Sequence, residues 1–126
     1  MVSAGPATLS KEQIVRGKTS IDRLVSGGRW ITGSRIKCCY LHPGGAEVSR
    51  ILVSVPKKFF KRAVKRNLLK RRMRESYRLQ KSLLAGCEGC LDLMFVYNSA
   101  ECASFDEIKE DVRMIMEGIA EKLAEK

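Results

Sequence analysis

The sequence predicts a small α+β domain in which helices pack on one side of a mixed sheet. Three short segments have the apolar patterning of strands and three others repeat apolar residues at helical spacing. In chain order the predicted elements are α-β-β-α-β-α. A length of 126 residues predicts one domain, and we assign residues 1–8 to a flexible N-terminal tail and 9–126 to that domain.

The first half of the chain is predicted to contain a short helix followed by two strands. The helix spans about residues 20–27, because Thr19 and Ser20 are good N-cap residues and two glycines follow its last turn. Residues 36–41 and 49–55 have the composition of strands. The intervening His-Pro-Gly-Gly is typical of a turn, so we expect these strands to pair as an antiparallel hairpin.

The second half is predicted to contain a long basic helix, a buried strand and a C-terminal helix. Residues 61–84 have the pattern of one helix, and residues 91–97 have the length and the aromatic and β-branched content of a buried strand. The last helix spans about residues 104–124 and starts with a capping box formed by Ser104 and Glu107. Its apolar residues form one stripe: Ile108, Val112, Ile115, Ile119 and Leu123.

Positive charge is concentrated in one segment of the chain. Twelve of the 24 Lys and Arg residues lie within residues 57–81, which contain a single acid, Glu75. Residues 101–126 have the opposite balance, with eight acids and four bases, so the formal charge of +10 is a local stripe. A stripe with so few acids for ion pairing predicts binding to a polyanion, and a nucleic acid is the expected partner.

The predicted basic helix has two faces when its residues are placed about 100° apart. One face is apolar and is expected to pack against the sheet: Leu69, Met73, Tyr77 and Leu84. The other face is polar and mostly basic: Asn67, Lys70, Arg71, Arg74, Arg78 and Lys81. Arg62 and Arg66 lie on the apolar side, so either the regular helix begins after them or its first turns overhang the edge of the sheet.

Metal binding, catalysis by the protein and membrane insertion have less support in the sequence than binding to a nucleic acid. The five cysteines include one CxxC pair, Cys87 and Cys90, which supplies half of a tetrahedral zinc site, so we expect structural thiols. The single histidine, His42, lies in the predicted turn, and no constellation of acid and base residues predicts catalysis by the protein. No segment approaches the ~20 apolar residues of a membrane span, and no secretory signal pattern is present, which predicts a cytoplasmic protein.

Three short motifs follow one another between residues 50 and 78. They are Ser54-Val55-Pro56-Lys57-Lys58, Arg62-Ala63-Val64-Lys65-Arg66-Asn67 and Lys70-Arg71-Arg72-Met73-Arg74-Glu75. In this spacing they resemble the signature of the bacterial ribonuclease P protein subunit, in which a strand ends S-V-x-K-K and a long helix carries A-V-x-R-N-R-x-K-R-x-x-R-E. The order of elements agrees with that family over about residues 9–124.

The chain departs from the family pattern in three places. Leu68 stands where the family has the second arginine of Arg-Asn-Arg, which removes one expected RNA contact. The segment between the first two motifs is one residue longer than the commonest spacing. Ile21 and Val25 replace an aromatic pair that lines the cleft for the single-stranded 5′ leader of precursor tRNA, with Tyr40 or Trp30 as substitutes.

The resemblance implies a ribosomal-protein-like split β-α-β fold with a left-handed crossover, an exception to the usual right-handed rule. It also implies a protein that supports endonucleolytic removal of the leader, with catalysis and Mg²⁺ in the RNA subunit and no metal bound by the protein. The implied partners are the catalytic RNA and precursor tRNA, with no membrane and no obligate protein partner. The implied RNA contacts are Lys57, Lys58, Arg62, Lys65, Arg66, Asn67, Lys70, Arg71 and Arg74. The implied leader-cleft residues are Ile21, Val25 and Tyr40.

Two other functions stay open on the residues alone. A structural RNA-binding protein of the ribosomal type would share the charge stripe and the type of fold, but the spacing of the three motifs favours the ribonuclease P subunit. A redox or zinc protein would use Cys87 and Cys90. DNA binding has less support, because no helix-turn-helix spacing precedes the basic helix.

Overall fold

The computed structural model describes residues 18–42, 44, 49–84 and 91–124. The predicted tail and the CxxC pair lie outside these residues. The described elements are, in chain order, α1 (Lys18–Gly27), β1 (Arg29–Thr32), β2 (Ile36–Leu41), β3 (Arg50–Ser54), α2 (Ala63–Leu79), a 3-10 helix (Lys81–Leu84), β4 (Asp92–Tyr97) and α3 (Phe105–Ala124). The predicted strands, the first helix and the last helix are confirmed to within two residues at each end.

The four strands form one mixed sheet in the order β1-β2-β4-β3. β1 pairs with β2 and β2 pairs with β4 in antiparallel orientation, whereas β3 and β4 are parallel. The predicted hairpin between β2 and β3 is therefore wrong, because β4 lies between them. A turn sequence indicates that the chain reverses but does not select the neighbouring strand. The central position suits β4, which has apolar residues on both faces.

The antiparallel hairpin of this sheet is formed by β1 and β2, and β1 is an element that the sequence pattern did not predict. β1 has four residues, of which only Ile31 is partly buried, so it shows no clear burial period. Gly33 closes the turn, where its N–H donates to the carbonyl of Ile36 at 2.7 Å. A Cβ at position 33 would lie 3.3 Å from Ile115 of α3, so glycine allows the helix to pack close to the turn.

The parallel strands β3 and β4 are joined through α2. They are direct neighbours, so the β-α-β unit is not split by an intervening strand, and this detail of the expected fold is wrong. The strand that does separate two others is β4, which lies between β2 and β3. The predicted class, a small mixed sheet with helices packed on it, is confirmed.

The two faces of the sheet are covered differently. On one, termed the core face, alternate strand residues such as Cys38, Val53 and Phe95 join the hydrophobic core with α2 and α3. On the other, termed the α1 face, the Cys39 thiol donates to the Leu24 carbonyl of α1 at 3.4 Å. The prediction that the helices lie on one side of the sheet is therefore wrong for α1. A short amphipathic stripe does not specify which face it covers.

Helix α3 begins and packs as its sequence predicts. The Glu107 N–H donates to Ser104 Oγ at 3.2 Å, and the Ser104 N–H donates to the Glu107 carboxylate at 2.9 Å. The hydrogen bond from the Ser104 backbone, together with the charge of Arg35, lowers the pKa of Glu107. The apolar stripe of α3 lies in or against the core: Ile108, Val112, Ile115, Ile119 and Leu123.

Helix α2 is shorter than the predicted helix over residues 61–84. It ends at Leu79, and a 3-10 turn follows. The side-chain amide of Gln80 donates to the carbonyls of Ser76 at 3.0 Å and of Lys109 at 3.2 Å. The second of these bonds holds the end of α2 against α3, and the chain then turns away from the helix axis.

Candidate RNA interface

Helix α2 follows a loop that is as basic as the helix itself. After β3, the Phe59 N–H donates to the Pro56 carbonyl at 3.2 Å, and Arg62 has an extended backbone with φ −83° and ψ 129°. The residues 57–62 between them are termed the basic loop. It exposes four cations: Lys57, Lys58, Lys61 and Arg62. The regular helix therefore begins at Ala63, immediately after Arg62. For Arg62 this confirms the first arrangement that the sequence allowed, in which the helix starts after the arginine.

A pair of aromatic residues ties the basic loop to the body of the protein. Phe60 is 8% exposed, and its ring lies 5.9 Å from the ring of Tyr97, centroid to centroid. Phe59 is partly buried, and Nζ of Lys58 lies 5.0 Å from its ring centroid. The aromatic side chains therefore pack towards the protein while the neighbouring ammonium groups stay at the surface.

The two faces of α2 are those that helical spacing predicts. Leu69, Met73 and Tyr77 are buried, and the pKa of Tyr77 is raised to about 12 by that burial. The other sides of the helix, together with the basic loop, are termed the basic face. Over the 17 residues of α2 it is roughly 25 Å long. Its helical members are Lys65, Asn67, Arg71 and Arg74, which are exposed, and Lys70, which is partly buried.

Arg66 turns its guanidinium back towards the basic loop. Its Nη1 donates to the carbonyl of Phe60 and to the carbonyl of Lys61, each at 2.8 Å. The charged group is thus held by backbone oxygens and does not enter the dry core unpaired. Of the nine predicted RNA contacts, eight lie on the basic face, and the ninth, Arg66, is partly buried and bonded to the basic loop.

Two arginines of α2 are less available to a ligand than the basic face is. Nη1 of Arg72 donates to the carbonyl of Ala103 and so ties α2 to the segment before α3. Arg78 is partly buried, and its Nε is buried without a hydrogen-bond partner among the described residues. Helical spacing placed Arg78 on the polar side of the helix, and in the structure it is one of the partly buried cations of α2.

The described ion pairs all lie outside the basic face, at Arg35, Arg50 and Arg113. On α3, Arg113 donates to the carboxylates of Glu110 and Glu117, and these bonds raise its pKa. Arg35 similarly pairs with Glu101 and Glu107. Within the part of the chain that the structure describes, no ion pair involves the basic face. Its charge is therefore left for an external anion.

The three predicted leader-cleft residues do not come together. Ile21 is partly buried and Val25 is 44% exposed on α1. Tyr40 is 4% exposed and belongs to the core face. Because side chains alternate along a strand, Tyr40 points away from the face on which α1 packs beside Cys39. Tyr40 instead lines a cavity of about 240 Å³ near the end of α3, together with Leu123.

The exposed aromatic residue of the α1 face is Trp30. It is 45% exposed and lies opposite Cys39 in the antiparallel register of β1 and β2. Nζ of Lys37 lies 5.2 Å from the centroid of its ring, so a cation and an aromatic surface are adjacent. Trp30 was the second of the two aromatic substitutes considered from the sequence. A strand assignment for β1 would have placed it on this face.

Thiol and metal chemistry have little support in the described part of the chain. Burial raises the pKa of the thiols of Cys38 and Cys39, while Cys102 is exposed. Among the described residues, no group of three or more His, Cys, Asp or Glu side chains is placed to hold a metal ion. The same residues include no helix that is long and apolar enough to cross a bilayer.

The fold and the basic face together define a small α+β protein with the one-sided positive charge of the nucleic-acid-binding class. The sequence profile of the ribonuclease P family, described as "Ribonuclease P", matches residues 9–120. This chain therefore belongs to the ribonuclease P protein family.

Two of its relatives are ribonuclease P protein components of bacteria. The chain is 40% identical over 81 residues to the ribonuclease P protein component of Chlorobaculum tepidum. The matched segment covers 60% of this chain and 53% of that protein. It is 64% identical over 39 residues to the ribonuclease P protein component of Porphyromonas gingivalis, covering 31% of this chain and 28% of that protein. These matches span about half of the length of the curated relatives or less.

Solved structures share the fold. The ribonuclease P protein of Staphylococcus aureus superposes with a TM-score of 0.73 at 19% identity, covering 90% of this chain and 99% of that one. The ribonuclease P protein of Thermotoga maritima gives a TM-score of 0.70 at 19% identity, covering 83% and 96%. At this level of identity the likeness establishes the fold alone.

Proposed function

We propose that this chain is the protein subunit of a ribonuclease P and that its basic face binds the catalytic RNA of that enzyme. The observation that carries the proposal is a set of exposed cations, in the basic loop and on α2, that lacks ion pairs among the described residues, in a member of this family. Binding of RNA phosphates releases condensed counterions and removes the repulsion between neighbouring cations. Arg71 and Arg74 are exposed and can donate two parallel hydrogen bonds to one phosphate.

The division of labour that we propose leaves the chemistry with the RNA. The resemblance assigns phosphodiester hydrolysis at the mature 5′ end of tRNA to the RNA subunit and to Mg²⁺ that it holds. The contribution of the protein is then electrostatic. Two polyanions, the catalytic RNA and precursor tRNA, repel each other, and the basic face lowers that repulsion so that less Mg²⁺ is required. The compartment of this reaction would be the cytoplasm.

We place the single-stranded 5′ leader of precursor tRNA on the α1 face. Trp30 offers an exposed ring on which a base can stack, and Lys37 beside it offers a contact to phosphate. Ile21 and Val25 of α1 supply aliphatic surface. Tyr40 is replaced in this role, because its side chain is buried on the other face of the sheet.

Reconstitution tests the proposed function. The protein is combined with its cognate RNA at a Mg²⁺ concentration too low for the RNA alone, and we expect cleavage of precursor tRNA at the mature 5′ end only when both are present. The Arg71→Ala/Arg74→Ala variant should lose this stimulation, whereas Lys109→Ala/Lys122→Ala on α3 should retain it. Cleavage by RNA-free protein, or equal activity of the two variants, would contradict the proposal. Purification of the protein with ribosomes instead of a separate large RNA would favour the structural alternative.

Trp30 provides a direct test of the leader position, because it is the only tryptophan of the chain. Its fluorescence should change when precursor tRNA binds and should not change with mature tRNA. Trp30→Ala should raise the Kd for precursor tRNA by roughly 5- to 100-fold, the equivalent of about 1–3 kcal/mol for one stacked base. Tyr40→Phe is the control and should leave both affinities unchanged. An equal effect of Trp30→Ala on both tRNAs would place the leader elsewhere.

A further inference from the structure

The basic loop contains closely spaced cations that repel one another, and its own residues do not fully restrain its conformation. Four exposed cations lie within its six residues, and like charges at this spacing favour an expanded, variable loop. Phe60 anchors the middle of the loop in the core, and the Phe59–Pro56 hydrogen bond shapes its start. The stretch between Phe60 and the first residue of α2 needs a further restraint if its ammonium groups are to hold fixed positions.

Arg66 supplies that restraint from the first turn of α2. One nitrogen, Nη1, donates to two successive carbonyls, those of Phe60 and Lys61, each at 2.8 Å. The Arg66 N–H also donates to the Arg62 carbonyl at 3.3 Å, which places the two arginines one helical turn apart. Arg66 therefore donates hydrogen bonds to three consecutive carbonyls. Its side chain binds those of residues 60 and 61, and its backbone N–H binds that of residue 62.

We propose that Arg66 is a positioning residue that holds the basic loop in register with the outward surface of α2. In this role it fixes where Lys58, Lys61 and Arg62 stand relative to Arg71 and Arg74, so that RNA meets one preformed surface. Preformed cations bind more tightly than mobile ones, because less conformational freedom is lost on binding. The inference rests on the proposed function, since the register is useful only if RNA contacts both the loop and the helix.

The geometry distinguishes this role from that of an ordinary phosphate contact. A residue that acts through charge alone is replaced well by lysine. Arg66 acts through the terminal Nη1 of a rigid planar group, whose two N–H groups are directed at the two carbonyls. The side chain of lysine is shorter and more flexible, so its ammonium does not hold the same position. Arg66→Lys therefore keeps the charge and removes the positioning. Arg71→Lys is the matched control, because the Arg71 side chain is exposed and makes no hydrogen bond to the described residues.

A double-mutant cycle in the full chain tests the inference. Arg66→Lys is measured alone and in a loop variant, Lys57→Ala/Lys58→Ala/Lys61→Ala, with the Kd for the cognate RNA as readout. We expect Arg66→Lys to weaken binding roughly tenfold with the native loop and less than about twofold in the loop variant, a coupling typical of residues that act as a unit. Arg71→Lys should have the same effect in both backgrounds. If Arg66→Lys costs as much in the loop variant as in the native loop, Arg66 contacts RNA directly and the inference is wrong.

Amide hydrogen exchange on the free protein gives a second readout that does not depend on RNA. In Arg66→Lys, amides of residues 58–62 should exchange faster by about tenfold, while those of β4 keep the native rate because the fold is intact. Arg71→Lys should leave both sets unchanged. Unchanged exchange in the loop of Arg66→Lys would overturn the inference even if RNA binding is impaired. Failure of the proposed function is recognised separately, by native affinity for RNA in Arg71→Ala/Arg74→Ala.

Discussion

Helices α2 and α3 pack against each other on the core face, yet they differ in how their ends and surfaces are arranged. α3 begins with a capping box and has Asp106 and Glu107 in its first turn, where acids oppose the positive end of the helix dipole. α2 begins after Arg62 without a side-chain cap and has no acid in its first turn. The cations of α3 include a paired arginine, Arg113, whereas those of the basic face have no described ion pair.

The difference shows that α3 is capped and ion-paired within the protein whereas α2 is not, which agrees with the proposed binding of an external anion by α2. Each cation near the start of a helix opposes the dipole by about 0.3–1 kcal/mol. Burial of Leu69 and Met73 offsets this, because each such side chain contributes about 1.5–3 kcal/mol. α2 is thus held by packing on one side, while the cations on its other side repel one another, a repulsion that the proposed binding of a polyanion would relieve.

The largest expected effect is on RNA affinity. Arg71→Ala/Arg74→Ala should weaken binding of the catalytic RNA on the order of 10- to 100-fold, because two phosphate contacts are lost. With about five phosphates neutralised, the native log–log salt slope should be roughly −3.5 to −4.5, and the variant should lose ~0.7–0.9 per contact. Lys109→Ala/Lys122→Ala should change neither value. A native slope near −1, or equal losses from the two pairs, would remove the distinction between the helices.

A substitution of Arg62, at the start of α2, should raise the stability of the protein and lower its affinity for RNA. Arg62→Asp introduces a good N-cap and a negative charge beside the positive end of the dipole, which should stabilise the protein by about 0.5–1.5 kcal/mol. The same change should weaken RNA binding, because an exposed cation of the basic face becomes an anion. Urea unfolding and RNA titration measure the two effects, and Arg62→Ala separates the loss of the cation from the gain of the cap. A fall in stability for Arg62→Asp would show that the start of α2 is not strained by its charge.

The start of α3 should respond in the opposite way. Ser104→Ala removes one half of the capping box and should destabilise the protein by about 1 kcal/mol. RNA affinity should stay within about twofold of the native value, because Ser104 is uncharged and is not part of the basic face. Thermal unfolding and the same RNA titration check both statements. A large loss of affinity in a folded Ser104→Ala protein would extend the interface to α3.

The smallest expected effect is the acid dependence of stability. The pKa of Glu107 is lowered from 4.5 by the hydrogen bond from the Ser104 backbone and by Arg35, and that of Glu110 is lowered by its hydrogen bond with Arg113. Groups with lowered pKa values stabilise the fold above pH 4.5, and this contribution is lost as the pH falls through their values in the folded protein. Glu107→Gln should therefore flatten the acid limb of stability in urea unfolding between pH 6 and 3. An unchanged limb would show that the first turn of α3 does not contribute.

Elements with local signals were predicted well. The capping box and apolar stripe of α3 and the buried side of α2 depend on residues within a few turns of one another, so their spacing is visible in the chain. The partner of each strand is a non-local property. The predicted β2–β3 hairpin was wrong because β4, more than 35 residues after β3 begins, occupies the place between them. The short, exposed β1 left no periodic signal.

The candidate site residues likewise divide into those that local spacing predicted and those whose position depends on non-local contacts. Helical spacing and the three motifs identified the exposed cations of α2, since charge and spacing are sufficient to describe one face of a helix. They did not reveal that the guanidinium of Arg66 binds the carbonyls of Phe60 and Lys61, because that contact depends on the path of the loop. Tyr40 was placed in the leader cleft, but the register of the sheet directs it to the core and leaves Trp30 exposed on the α1 face.

By itself, the sequence determined the α+β class, the segregation of charge between α2 and α3, and the two faces of the basic helix, because each depends on composition or short-range periodicity. Only the tertiary structure decided the strand order, the side of the sheet on which α1 packs, and which aromatic residue stays accessible. Those features depend on which distant segments bury surface together. Because side chains alternate along a strand, the register of each strand decides which of its residues face the core. In this sheet Tyr40 of β2 is buried and Trp30 of β1 is exposed.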